Sequence, residues 1–176
     1  LQNSIFAGAV LGLIGGFVGI FVMMRAPAFA VHGVSEMSFA GAALALLLGY
    51  DVVTGSMVGS IASALLIAFL GSKASNSNSV IGALMPFGLG LGILFLSLYQ
   101  GRSANKFGLL TGQIVSVDAD QLHTMIIGAV VIISLLVMVW RPLSFASLDP
   151  EVARAKGVPM RFLSLVFMVI LGIAVA

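Results

Sequence analysis

A chain of 176 residues that is 60% hydrophobic and 8% charged has too little polar surface for a soluble domain, where charged residues make up about a quarter. It reads as an all-α integral membrane protein, a polytopic helical bundle whose length allows about six or seven spans and almost no extramembrane domain. The lack of cysteine removes disulfides and thiolate metal ligands, and eight scattered Lys and Arg are too few for nucleic-acid binding.

The first span runs from about Ile5 to Met24 and is closed by Arg25. Gly8, Gly12 and Gly16 recur every four residues, with Gly15 and Gly19 beside them, a spacing that predicts close backbone approach inside a bundle. Pro27 suits the first turn of a second span that ends near Leu48. Within it His32, Ser35 and Glu36 share one helix face, and Val34, Met37, Leu44 and Leu48 supply apolar surface on the other side. Ionisable groups at bilayer depth are costly and usually face a bundle interior or an aqueous cavity, so the pair marks a transport or relay site. Imidazole with carboxylate suits Mn²⁺, Zn²⁺ or Fe²⁺. The simpler reading is a His32–Glu36 hydrogen bond that fixes helix packing.

Gly49-Tyr50-Asp51 makes a tight turn into a third span, Val52 to Leu70, with a small-residue stripe of Gly55, Gly59 and Ser63. The stretch from Gly71 to Ser79 is a loop by composition. A fourth span runs from Val80 to Tyr99, where Pro86 with Gly88, Gly90 and Gly92 predicts a kink or local unwinding. The apolar piece Phe107 to Val115 is too short to cross and reads as interfacial or re-entrant. Asp118, Asp120 and His123 follow it, either attracting cations at the outer mouth or forming a solvated helix cap.

A fifth span, Met125 to Trp140 with a start as early as Leu122, is expected to end with Trp140 at the interface. Beyond Arg141 the segment Asp149 to Pro159 reads as a compact helix: Asp149 caps it, Pro150 takes the first position, Glu151 complements the dipole and Gly157 ends it. A sixth span begins near Arg161. The sequence begins at Leu1 and ends at Ala176 inside an apolar run, so at least one further helix is expected beyond it.

Of the eight basic residues, Arg25, Lys73, Arg141, Arg154, Lys156 and Arg161 follow odd-numbered spans, and only Arg102 and Lys106 lie opposite. The positive-inside rule therefore puts the Asp149 to Pro159 helix in the cytoplasm and the N-terminus outside. Neither a Walker A loop nor a nucleophile elbow is present in the sequence, which argues against an ATP site or an enzyme within this chain. An internal repeat of the inverted-transporter kind is not evident either.

With these segments placed, the chain resembles the permease subunits of bacterial ABC importers for divalent transition metals, the manganese, zinc and iron family of ABC-3 type. Their second helix is preceded by an arginine and looks like G-D-A-x-S-H-A-x-x-P-G. Setting Gly41 on the final glycine puts Arg25 on the arginine, His32 on the Asp, Ser35 on the Ser and Glu36 on the His, with Val31 and Ala40 departing from the Gly and Pro. The family's cytoplasmic coupling helix resembles D-P-E-x-A-x-A-x-G-(I/V), and Asp149, Pro150, Glu151, Ala153, Ala155, Gly157 and Val158 reproduce it without a gap. A third likeness joins Leu110 to Val117, with Asp118 or Asp120, to L-F-G-x-x-L-x-V-x-x-x-D-L.

The resemblance implies one transmembrane permease domain over residues 1–176, in the bacterial plasma membrane. It implies a pathway metal station at His32 and Glu36, with Ser35 as a further candidate ligand, and coupling residues Asp149, Pro150, Glu151, Ala153, Ala155 and Gly157. Its implied partners are ABC ATPase subunits, an extracytoplasmic metal-binding protein and a second permease copy, and its cargo is Mn²⁺, Zn²⁺ or Fe²⁺ with no permanently bound cofactor. Two alternatives stay open. A proton-coupled secondary carrier would use His32 and Glu36 to exchange protons, and an ABC permease for a metal chelate such as a siderophore or cobalamin would need a wide pathway without ionisable ligands.

Overall fold

The computed structural model describes residues 2–25, 28–71, 77–101, 108 and 119–176. These residues form α1 (Gln2–Arg25), α2 (Ala28–Leu48), α3 (Val52–Gly71), α4 (Ser77–Leu98), α5 (Ala119–Leu148), α6 (Pro150–Ala155) and α7 (Met160–Val175), with no strand among them. Five of the helices, α1 to α5, are long and apolar enough to cross a membrane. The 16 described residues of α7 are apolar too. The all-α membrane architecture expected from composition is the one found.

Helix α4 begins at Ser77, inside the stretch expected to be loop, and α5 begins at Ala119, three residues before Leu122; the far end of α5 differs more. Helix α5 does not stop at Trp140 but continues through Arg141 and Pro142 to Leu148, 30 residues in all. Proline in a helix removes one N–H and normally marks a boundary, yet Leu143 and Ala146 beyond it are buried at 0% and 2% exposure. Burial of this last stretch holds the helix together past the proline. The eight residues after Trp140 carry the chain a further ~12 Å along the α5 axis before α6 begins.

The chain divides into two compact units, one made of Leu1–Ala28 with Ile114–Ala174, the other of Phe29–Gln113 with Val175–Ala176. In the first unit α1 buries Ala7, Ile14, Val18 and Phe21, a stripe at helical spacing. The Phe21 ring stands edge-on to Trp140 at 4.8 Å and to Phe167 at 6.2 Å, and Phe17 meets Trp140 at 6.1 Å. Eight residues beyond Phe17, Arg25 reaches Ser147, seven beyond Trp140, so α1 and α5 advance together and run parallel. The glycine stripe of α1 lies elsewhere: a Cβ at Gly8, Gly12, Gly15, Gly16 or Gly19 would meet nothing within 4 Å among the described residues. The expected close approach is not made to any described residue, because the apolar stripe and not the small-residue one faces α5.

In the second unit the small residues do meet. A Cβ on Gly55 would strike the Ala45 Cβ and lie 2.6 Å from the Gly41 carbonyl oxygen, and one on Gly59 would strike the Met37 carbonyl oxygen and lie 3.1 Å from the Gly41 Cα. Helices α2 and α3 thus touch backbone to backbone, the use expected of such a stripe in lipid. Ser56, Ser60 and Ser63 of α3 are buried, and each donates its hydroxyl to the carbonyl three residues back at 2.8, 3.0 and 2.9 Å. The polarity of Ser60 and Ser63 is absorbed within the helix, and the Ser56 hydroxyl also reaches Ala176 O at 3.3 Å. The turn joining α2 to α3 is locally determined at both ends. Gly49 (φ +77°) donates to Leu46 O and Tyr50 to Ala45 O, the paired bonds of a Schellman ending. Asp51 Oδ2 then accepts from both the N–H and the hydroxyl of Thr54 at 2.8 Å.

Helix α4 is continuous across Pro86. The expected unwinding is not found, and two of its glycines have another use: they are where α4 touches α2. A Cβ at Gly88 would lie 2.9 Å from the Glu36 carbonyl carbon, and one at Gly92 would overlap the Phe39 ring, whereas one at Gly90 between them would meet nothing within 4 Å among the described residues.

Candidate functional site: a polar helix face and a capped helix

His32 and Ser35 are exposed and Glu36 is half-buried on α2. At 3.6 residues per turn the three lie nearly opposite Met37, Gly41, Ala45 and Leu48, which with Leu44 and Ala40 line an apolar groove of about 560 Å³, Ala40 being four residues after Glu36 and beside it on the helix. The two faces of α2 are thus chemically distinct. Among the described residues no hydrogen bond or ion pair joins His32 to Glu36, so the packing-bond alternative finds no support. Backbone position at this site is held from behind by Gly88 of α4, a contact that sequence reasoning missed although the Gly88–Gly92 spacing carries its signal.

No group of three or more His, Cys, Asp or Glu side chains comes together among the described residues. Two donor side chains on one helix are fewer than a complete metal shell needs. His123 is exposed on the first turns of α5. Asp118, the Asp120 side chain and the re-entrant candidate Phe107 to Val115, Gly108 excepted, lie outside the described residues.

The second candidate element forms as its sequence requires. Asp149 Oδ1 accepts from Val152 N–H at 3.0 Å, Pro150 opens α6, and Glu151 and Arg154 lie at the helix ends that their charges favour. Gly157 (φ +78°) donates to Arg154 O and Val158 to Ala153 O, both at 3.0 Å, the same Schellman ending as at Gly49. Ala153 is fully buried, while Glu151, Arg154, Ala155, Lys156 and Gly157 are exposed. The helix is thus seated on its own unit by one small residue and presents its polar side outward. The Lys156 ammonium lies 5.7 Å from the centre of the Phe145 ring, tying the end of α6 back to α5.

Five apolar helices of spanning length, an ionisable helix face and a capped polar helix give the build of a multi-pass membrane protein with a polar face for handling a solute. All of residues 1–176 match the ABC 3 transport family, and the chain belongs to that family. It is similar to the manganese transport system membrane protein MntC of Halalkalibacterium halodurans, 24% identical over 174 residues that cover 98% of this chain and 60% of MntC. It is also similar to the manganese import system permease protein ScaB of Streptococcus parasanguinis, 28% identical over 173 residues covering 97% and 61%. Among solved structures, PsaBC from Streptococcus pneumoniae in complex with Fab matches with a TM-score of 0.80 and 25% identity, over 98% of this chain and 64% of that one. The chain spans about three fifths of the length of the curated relatives it matches.

Proposed function

We propose that the chain is the transmembrane permease part of an ATP-driven importer that carries a divalent transition metal, Mn²⁺ first among the candidates, into the cytoplasm. The observation that carries this reading is the face of α2 on which His32, Ser35 and Glu36 stand together, opposite the helix's groove-lining surface and without a mutual bond. An imidazole and a carboxylate offer borderline and hard donors suited to Mn²⁺, Zn²⁺ or Fe²⁺. A second permease copy related by two-fold symmetry would double the donors at its axis and complete a transient shell. The names of MntC and ScaB favour manganese over the other two metals.

Direction and drive follow from the capped helix. In this reading α6 faces the cytoplasm and inserts between subunits of a separate ATPase, so closure of the ATPase moves α6 and the α5 stalk above it. The parallel course of α1 and α5 agrees with an odd-numbered place for both among the candidate spans, and the side is assigned by the basic residues that follow them. An extracytoplasmic metal-binding protein delivers the ion at the opposite side, and residues 1–176 act as one permease domain.

The test uses the assembled importer in vesicles, with uptake of labelled Mn²⁺ measured against added ATP. Glu36→Gln and His32→Ala each abolish uptake while the permease–ATPase complex remains intact. Unchanged uptake in both variants overturns the station, and uptake driven by a proton gradient without ATP overturns the class.

A further inference from the structure

At the end of α1 the Arg25 guanidinium meets the last turn of α5. Its Nε donates to Ser147 Oγ at 3.0 Å, and the same hydroxyl donates its only proton to Leu143 O at 2.6 Å. The Ser147 rotor is therefore fixed, and its oxygen is held toward Arg25 as an acceptor. The guanidinium also lies 5.8 Å from the centre of the Phe167 ring of α7. A cavity of about 370 Å³ opens beside it, lined among others by Met24, Ser147, Pro150 and Ser164. Arg25 thus touches α5 and α7 with one side chain, next to space into which the group can move.

The position of this contact is what gives it meaning. Ser147 is two residues before Asp149, the cap of α6, and Ala153 and Lys156 bind α6 back onto its own unit. Any displacement of α6 therefore drags the last turn of α5, and the hydrogen bond from Arg25 passes that displacement to α1. Without it the contacts between α1 and α5 at this level, among the described residues, are the apolar and ring contacts of Phe17 and Phe21, which slide more easily than a directional bond with a charged donor.

We infer that Arg25 is a positioning residue for coupling: its bond to Ser147 links movement of α6 to α1. This inference rests on the proposed docking of α6 to an ATPase.

The experiment measures ATP hydrolysed per Mn²⁺ imported by the assembled permease–ATPase complex in vesicles, corrected for the amount of complex. Arg25→Met and Ser147→Ala each raise that ratio about fivefold, as expected when one charge-assisted hydrogen bond leaves a coupled step. The double variant is no worse than the more affected single one, because both remove the same bond. A merely structural role lowers the yield of complex and leaves the ratio alone. If Arg25→Met fails to assemble, Ser147→Ala and Arg25→Lys decide, since both keep the local volume and Arg25→Lys keeps the charge while losing the Nε donor.

An unchanged ratio in the assembled variants, or a double variant whose effect equals the product of the singles, overturns the inference. Glu151→Lys on the exposed side of α6 separates the two levels. If Glu151→Lys uncouples and the Ser147 variant does not, the Arg25 link falls and the docking reading stands. If Glu151→Lys leaves the ratio unchanged as well, the docking reading falls with it.

Discussion

Gly88 of α4 lies against the backbone of Glu36 so closely that a Cβ there would stand 2.9 Å from the Glu36 carbonyl carbon and 3.0 Å from the Met37 nitrogen. The atoms in the way are main chain and cannot rotate aside. Gly88→Ala therefore forces α4 away from α2, at about 1–3 kcal/mol by analogy with overpacked cores. Gly90→Ala, two residues on, where a Cβ would meet nothing within 4 Å among the described residues, leaves stability unchanged or slightly raised because alanine is the better helix former. Thermal unfolding of both variants in the same detergent checks the contrast, and a lowered midpoint in both would refute it.

Glycines show clearly where sequence stops being informative. Gly8, Gly12 and Gly16 of α1 and Gly55 and Gly59 of α3 have the same four-residue spacing, yet among the described residues the second set alone touches another backbone. Spacing identifies a surface that permits close approach, and a partner must exist for the approach to happen. Helix α6 was legible in full because its determinants are local: Asp149 caps three residues ahead, and Gly157 supplies the left-handed φ. The shared face of His32, Ser35 and Glu36 was legible from helical period alone. Continuity of α5 through Pro142 was not, since the burial of Leu143 and Ala146 that sustains it is a tertiary fact.

Phe21 is fully buried between Trp140 and Phe167. Lipid is as apolar as the site, so Phe21→Ala loses packing more than transfer free energy, and about 2 kcal/mol is expected in place of the ~3–5 of an aqueous core. Phe21→Leu costs less. Combined with Trp140→Ala, the Phe21→Ala loss shrinks, because the two rings are each other's contact. Unfolding midpoints of the single and double variants measure this, and strictly additive losses would count against the ring contact.

Asp51, outside the spans, has its carboxyl held below the usual carboxylate range by the Thr54 N–H first and the Thr54 hydroxyl second. The folded state thus prefers the charged form. Its stabilising contribution is complete above the unfolded value of about 4 and disappears as pH falls through the lower folded value. Asp51→Ala is accordingly less stable than the parent chain at pH 6, with the difference shrinking toward pH 3. Asp51→Asn keeps a capping oxygen and flattens this pH dependence. A gap between parent and Asp51→Ala that widens on acidification would contradict the assignment.

Gly157 offers the clearest separation between shape and bulk at the candidate coupling element. Its φ of +78° lies in the left-handed region, yet a Cβ there would meet nothing within 4 Å among the described residues. Space is free, so the cost of a substitution comes from the backbone, about 1–2 kcal/mol for an ordinary L-residue and less for asparagine, which tolerates this region. The expected order of damage is Asn, then Ala, then Val, with the β-branched side chain worst despite its modest size. Loss of the left-handed ending releases the bonds from Gly157 to Arg154 O and from Val158 to Ala153 O, so the last turn of α6 frays while the spans stay folded. If α6 couples to an ATPase, ATP-dependent Mn²⁺ uptake falls in that same order at constant expression. A ranking that follows side-chain volume in the assembled complex, with Asn as harmful as Val, would show instead that Gly157 is needed for room against a partner.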